Sequence, residues 1–190
     1  LTEDDLDTLC AIASAAGREV LEVYARPFEA RIKDDGSPVT VADERADRLI
    51  RQGLAAAFPG IVVVSEESAA QDPGGVETFF LVDPVDGTKE FLRRNGEFTV
   101  NIALVRNGEP LAGVVLAPAL GQLYWAARRH GAWRRAWTAE PAAAAPAAMR
   151  LRVSPCHDGP ARVLVSRSHR DARIDAWLAR LPCPYTTVAA

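Results

Sequence analysis

The chain has 190 residues, 48% of them hydrophobic and 25% charged, which is enough length and apolar content for a sizeable core in one or two domains. Its net charge of −3 has the wrong sign for the basic footprint of a nucleic-acid binder, and no apolar run approaches the roughly 18 residues of a membrane span. The cysteines, Cys10, Cys156 and Cys183, are odd in number, widely spaced and without a Cys-x-x-Cys pair, so they read as reduced cytosolic thiols. Cys156 beside His157 does not read as a nucleophilic dyad, because neighbours on an extended segment face opposite ways. Arg128, Arg129, Arg134 and Arg135 interleave with Trp133 and Trp137, and they read as the charged outer faces of strands.

Leu6, Leu9, Cys10, Ala13, Ala16, Val20 and Val23 recur at helical spacing behind Thr2 and Asp5, which form a capping-box pattern. The spacing predicts an opening amphipathic helix. A second helix is predicted after Pro38, with Thr40 as N-cap and Asp43 three residues on. It carries Ala46, Leu49, Ile50, Leu54 and Phe58 on one face, and Pro59-Gly60 stops it. Ile61 to Val64 and Phe79 to Val82 are short strand-like runs that lead straight into carboxylates. From Thr99 to Ala117 the pattern is strand, Asn107-Gly108 turn, strand, and Gly121 introduces a third strand through Leu123, Tyr124 and Trp125. Pro141 to Ala148 reads as a long loop. A strand at Val163 to Val165, a helix around Ile174, Trp177, Leu178 and Leu181, and a strand at Tyr185 to Val188 look like the opening β-α-β unit of a second domain.

The acidic residues carry the chemistry. Asp83 and Asp86 lie three residues apart about Pro84, where a strand becomes a loop, so both can converge on one small volume. With Glu66 and Glu67 ending the preceding strand, four carboxylates gather where no equal basic cluster is evident. Their mutual repulsion favours a hard divalent cation such as Mg²⁺, which takes carboxylate and carbonyl oxygens, the Val85 carbonyl among them. Gly87-Thr88 opens a short helix, Lys89 to Arg94, whose N-terminal N–H groups suit a phosphate oxygen. A cation on one side and these N–H groups on the other would bracket a phosphoryl group for ester hydrolysis. Asp43 fits two readings equally on spacing alone: a helix cap, or a group that holds the Thr88 hydroxyl so that it orients the attacking water.

Three motifs in this order resemble the inositol monophosphatase superfamily of Mg²⁺-dependent, lithium-sensitive phosphatases. They are Gly36-Ser37-Pro38-Val39-Thr40-x-Ala42-Asp43, Ser65-Glu66-Glu67 and Asp83-Pro84-x-Asp86-Gly87-Thr88, and the match covers nearly the whole chain. Asp86 to Phe91, Arg94 to Leu104, and Val165 to His169 are similar to its 3′(2′),5′-bisphosphate nucleotidase branch. Those enzymes remove the 3′-phosphate of adenosine 3′,5′-bisphosphate, a by-product of sulfate activation, leaving AMP and phosphate.

The resemblance implies a cytoplasmic enzyme with a small phosphorylated nucleotide as substrate, and Mg²⁺ as cofactor, about two or three ions, with Li⁺ inhibitory. It makes Glu66, Asp83, Asp86 and the Val85 carbonyl metal ligands, and Glu67 a holder of metal-site water. Asp43 and Thr88 become the water-activating pair, and Gly87 and Thr88 contact the scissile phosphate. Ser168 and His169 help bind the nucleotide, while Lys89 and Lys33 are contacts to anionic substrate.

The implied fold is a layered α/β protein, an αβαβα sandwich of the inositol monophosphatase and fructose bisphosphatase type. Residues 1–148 would form the N-terminal domain with the metal and phosphate site, and residues 149–190 the beginning of a C-terminal α/β domain on the substrate side. Family members continue into a Trp-Asp-x-Ala-Ala type motif whose aspartate is a further metal ligand. None occurs by Ala190, so the second metal site is in doubt, the native chain is expected to extend further, and residues 1–190 alone are expected to aggregate or be inactive. Such enzymes are frequently homodimers, which the sequence leaves open. The alternatives are an inositol or sugar phosphate phosphatase, since the metal motif recognises only phosphate, and a non-catalytic relative that binds phosphorylated ligands.

Overall fold

The computed structural model describes residues 2–33, 38–67, 74–140, 146–153, 159–166 and 171–189. They fall into two compact units, Leu1–Leu151 and Arg152–Ala190. Helix α1 (Glu3–Tyr24) begins at the expected capping box, with Thr2 Oγ1 accepting from Asp5 N–H and Asp5 Oδ2 accepting from Thr2 N–H at 2.7 Å. A short antiparallel hairpin follows, β1 (Ala30–Ile32) with β2 (Pro38–Thr40), which the sequence pattern did not announce. It leads into α2 (Val41–Ala57), whose cap is again a full capping box, Thr40 with Asp43.

Strands β3 (Val62–Ser65) and β4 (Thr78–Asp86) pair in parallel, and the short helix α3 (Thr88–Arg93) comes directly after β4. Strands β5 (Thr99–Arg106), β6 (Glu109–Ala117), β7 (Gln122–Ala127), β8 (Gly131–Ala136) and β9 (Met149–Leu151) then continue the sheet as an antiparallel meander in sequence order. The β5–β6 turn is the expected one, with φ of 52° at Asn107 and 76° at Gly108, the positive pair that a tight hairpin turn requires.

Helices α1 and α2 cover one face of this seven-stranded sheet. Alternation along the strands decides what they bury: Phe80, Val82, Val100, Ile102, Leu104, Val114, Leu116 and Leu123 join Leu9, Ala13, Ala16, Val20, Ile50 and Leu54 in one core. Gly17 brings α1 close to the sheet, since a Cβ there would lie 2.3 Å from Leu116 Cδ2. The opposite face carries Leu81, Asp83, Asn101 and Val115. Arg135, expected on an outer face, instead shares the helix side with its partner Leu123 and lies 5.4 Å over the Trp125 ring. Its charge acts on the Cys10 thiol, which burial nonetheless pushes up to about 11.

In the second unit β10 (Ala161–Val165) and β11 (Tyr185–Ala189) pair in parallel, joined through α4 (Ala172–Leu178). Asp171 caps that helix by accepting from the N–H groups of Arg173 and Ile174. This is the expected β-α-β unit. Residues 141–145, Cys156 and His157 lie outside the described residues.

Phe80 is fully buried at the centre of β4, with its ring 5.2 Å from that of Phe58 at the end of α2. Phe80→Ala is therefore expected to cost about 3–5 kcal/mol of stability, read from the urea midpoint by circular dichroism.

Candidate active site

The carboxylates meet because two parallel strands end side by side. Val62 pairs with Phe79 and Ser65 with Val82, so the residues that follow, Glu66 and Asp83, leave the sheet at the same level. Glu66 N–H donates to Val82 O at 3.1 Å, which fixes its backbone beside β4. Past Asp83 the β4–β5 register shifts before Asp86 pairs with Thr99, and this irregularity brings Asp86 back toward the same place. Val85 N–H donates to Asp83 Oδ1 at 3.2 Å, a local turn that sets the first carboxylate against Pro84.

The electrostatics show how crowded this volume is. Burial, the Glu66 charge, the Asp86 charge and a hydrogen bond shared with Glu66 together push Asp83 up to about 8 from an ordinary value of 3.8. Without a cation, burial and its acidic neighbours thus keep the Asp83 carboxyl protonated at neutral pH. As placed, no set of three or more His, Cys, Asp or Glu side chains among the described residues closes around a common point. The donor set nonetheless suits a hard cation: three carboxylates, one of them forced to keep a proton against its nature, beside the backbone of Val85. A divalent ion would remove the charge excess that raises Asp83.

A lysine enters the cluster from the β1–β2 hairpin. Lys33 Nζ lies 2.5 Å from Glu67 Oε1 and 3.8 Å from Glu66 Oε1, with its side chain only 21% exposed. Burial works to lower its pKa, but the hydrogen bond and charge of Glu67, with Glu66 and Asp43 behind, raise it overall, so it is a fixed cation. Among the described residues the acidic cluster therefore has one basic member, Lys33. Glu67 itself is raised by burial, against the pull of Lys33 and with Asp43 and Glu66 adding to the rise.

Asp43 is 1% exposed, and its Oδ2 accepts from Thr40 N–H at 2.8 Å and from Thr40 Oγ1 at 2.7 Å. Burial raises its pKa, with the Thr40 hydrogen bonds and Lys33 opposing. The Thr88 hydroxyl donates to Val85 O at 3.2 Å. The structure thus joins Asp43 to Lys33 and Glu67 electrostatically, and Thr88 to the Val85 carbonyl, but no hydrogen bond links Thr88 to Asp43. Helix capping is the role of Asp43 that the geometry displays.

Gly87 is the N-cap of α3 with φ of +92°, and a Cβ there would sit 2.9 Å from Glu97 O, so only glycine fits. The aromatic rings of Tyr24, Phe28, Phe91 and Phe98 stack about 5 Å apart and hold α3 against the end of α1. Arg94 completes that anchor by donating to Tyr24 O and Arg26 O at 2.6 Å each, while lying 4.9 Å over the Phe28 ring. Lys89 is exposed in the first turn of α3. Gly36 and Ser37 of the first motif, and Ser168 and His169, lie outside the described residues.

Asn101 was missed in the sequence. It pairs with Asp83 across β4 and β5, and its Nδ2 donates to Asp86 Oδ2 at 3.0 Å. A polar amide interrupting the apolar run Val100 to Leu104 was the available signal. Glu66, Asp83 and Asn101 line a cleft of about 490 Å³ together with Leu81, Ala103 and Val115.

Residues 2–180 match the Inositol monophosphatase family. The 3′(2′),5′-bisphosphate nucleotidase CysQ of Escherichia coli O157:H7 is 42% identical, with 96% of this chain and 71% of that protein covered. Among solved structures, CysQ from Bacteroides thetaiotaomicron superposes with a TM-score of 0.80 at 30% identity, covering 98% of this chain and 72% of that one. The extragenic suppressor protein SuhB of Bartonella henselae, at a TM-score of 0.76 and 24% identity over 98% of this chain and 70% of that one, shares the fold. The protein therefore belongs to the inositol monophosphatase family, with that family's layered α/β fold, and it is a phosphatase.

Proposed function

We propose that this phosphatase is Mg²⁺-dependent and removes the 3′-phosphate of adenosine 3′,5′-bisphosphate, and of its sulfated form, to leave AMP and inorganic phosphate. The observation that carries the metal dependence is the forced proximity of Glu66, Asp83 and Asp86, which keeps Asp83 protonated unless a cation neutralises the group. The substrate is supported by the relatives at about 40% identity that bear the nucleotidase name. Residues 1–148 would hold the metal and phosphate site, and residues 149–190 would open the substrate-side domain, with Ser168 and His169 toward the nucleotide.

In this reading Glu66, Asp83, Asp86 and the Val85 carbonyl would hold Mg²⁺. When bound, the ion supplies a Lewis acid that withdraws charge from the phosphoryl oxygens and the departing 3′-oxygen. Water attacks phosphorus in line, the new P–O bond forms as the bond to O3′ breaks, and O3′ takes a proton from a solvent water to leave as the ribose hydroxyl. Glu67, held by Lys33, would orient the attacking water. Thr88 Oγ1 turns from Val85 O to take up the water's proton, passing its own to the buried Asp43 carboxylate, whose raised pKa suits a proton acceptor. The backbone N–H groups of Gly87 and Thr88, in a helix turn without intrahelical acceptors, bind the phosphate, and Lys89 adds its charge.

Asp83→Asn and Glu66→Gln are each expected to lower kcat/KM by about 10²-fold or more with Mg²⁺ present, and excess EDTA to abolish turnover. In a steady-state substrate panel, adenosine 3′,5′-bisphosphate should exceed inositol 1-phosphate in kcat/KM by at least about tenfold. Equal or reversed preference would transfer the assignment to an inositol phosphatase, and full turnover in EDTA would remove the metal from it.

A pH dependence follows from the raised Asp83. Its carboxyl is protonated in the folded, cation-free protein up to about pH 8 but ionises near 3.8 once unfolded. Its contribution to stability is thus complete below about pH 4 and is lost as pH rises toward about 8. Thermal melts in EDTA should show the midpoint falling across that window, and the fall should flatten in Asp83→Asn.

A further inference from the structure

We infer that Asn101 is a positioning residue for the cation site: its side-chain amide holds one oxygen of Asp86 and so fixes how that carboxylate presents its other oxygen to a bound divalent ion. The inference rests on the metal-dependent reading above and adds a residue that none of the three motifs contains.

The placement is unusual for a strand. Asn101 stands in the middle of β5, between Asp83 on β4 and Val115 on β6, in the row of side chains on the sheet face away from α1 and α2. Val115 beside it and Ala103 two residues on are apolar, Thr99 two residues back is polar, and its Oδ1 is buried with no hydrogen-bond partner among the described residues. An asparagine is a poor strand former, and an orphaned amide oxygen destabilises a fold. A valine, isoleucine or leucine would serve the sheet better. What the amide provides in return is one contact, Nδ2 to Asp86 Oδ2 at 3.0 Å. The direction of that bond is set by chemistry, because a carboxylate only accepts and the amide nitrogen must face it.

Asp86 needs such a partner more than Asp83 does. Asp83 is pinned by Val85 N–H within its own turn, whereas Asp86 follows the register shift and is exposed. A freely rotating carboxylate loses rotamer entropy each time it ligates an ion. A ligand already held by a neighbouring N–H does not, and outer partners of this kind typically change metal affinity by about 10–100-fold.

The test is a double-mutant cycle in the full chain, with Mn²⁺ as the probe, its free concentration read by electron paramagnetic resonance, and cation-free stability read by urea denaturation in EDTA. Asn101→Leu should weaken Mn²⁺ binding by about tenfold or more while leaving the cation-free urea midpoint unchanged or higher. In an Asp86→Asn background the same substitution should have no further effect on Mn²⁺, because the carboxylate it acts through is gone. Asn101→Thr, which keeps a donor and favours a strand, gives the answer if the leucine variant does not fold: affinity between wild type and Asn101→Leu is expected. Equal Mn²⁺ affinity in wild type and both Asn101 variants, or an equal loss in both backgrounds, would overturn the positioning role. Failure of the wild-type chain to bind Mn²⁺ would instead overturn the metal-dependent reading, and this inference with it.

Discussion

Like charges forced together in a partly desolvated volume are the constraint on which this molecule turns. A backbone hydrogen bond places Glu66 beside the end of β4, and Pro84 with the Val85 N–H turn holds the half-buried Asp83 in place beside it. The strain surfaces as a proton on Asp83 that an isolated aspartate would have lost several pH units lower. A fold that simply needed a turn after β4 would have no use for such an arrangement. A phosphatase does, because a phosphate ester and its attacking water need a concentrated positive charge, and clustered carboxylates are how a protein holds one.

The rest of the first unit supports that corner. The α1 and α2 layer buries Phe80 and Val82, the residues that alternate with Leu81 and Asp83, so the packing of one face orients the chemistry of the other. Helix α3 is too short to be stable alone, and the Tyr24, Phe28, Phe91 and Phe98 rings with Arg94 tie it to the end of α1. That anchor sets where Gly87 and Thr88 stand relative to Asp86. Lys33 reaches the cluster from the edge of the separate β1–β2 pair, so this cation is delivered by an element outside the main sheet.

Local chemistry was legible in the sequence, and register was not. Both capping boxes, Thr2 with Asp5 and Thr40 with Asp43, could be read directly because every partner lies within three residues. The Asn107-Gly108 turn and the β-α-β unit ending at Ala189 followed from equally local signals. That Glu66 and Asp83 would meet could be anticipated only as two strands running into acid, and it took the parallel pairing of β3 with β4 to join them. Asn101 depends on a pairing between residues 18 apart in sequence, Asp83 with Asn101, and no spacing rule reveals it. The Lys33–Glu67 pair joins residues 34 apart in sequence, so spacing gave no sign of it. Arg135 was misplaced for a simpler reason: alternation gives two faces, and which face meets the helices depends on the neighbouring strand.

The central claim is that Glu66, Asp83 and Asp86 form one cation site, and locating the ion tests it most directly. Crystals of the protein soaked in Mn²⁺, with data collected at a wavelength where manganese scatters anomalously, should show a peak within coordination distance, about 2–2.5 Å, of oxygens from all three carboxylates. A peak on other residues, or none at these carboxylates at saturating Mn²⁺, would contradict the account.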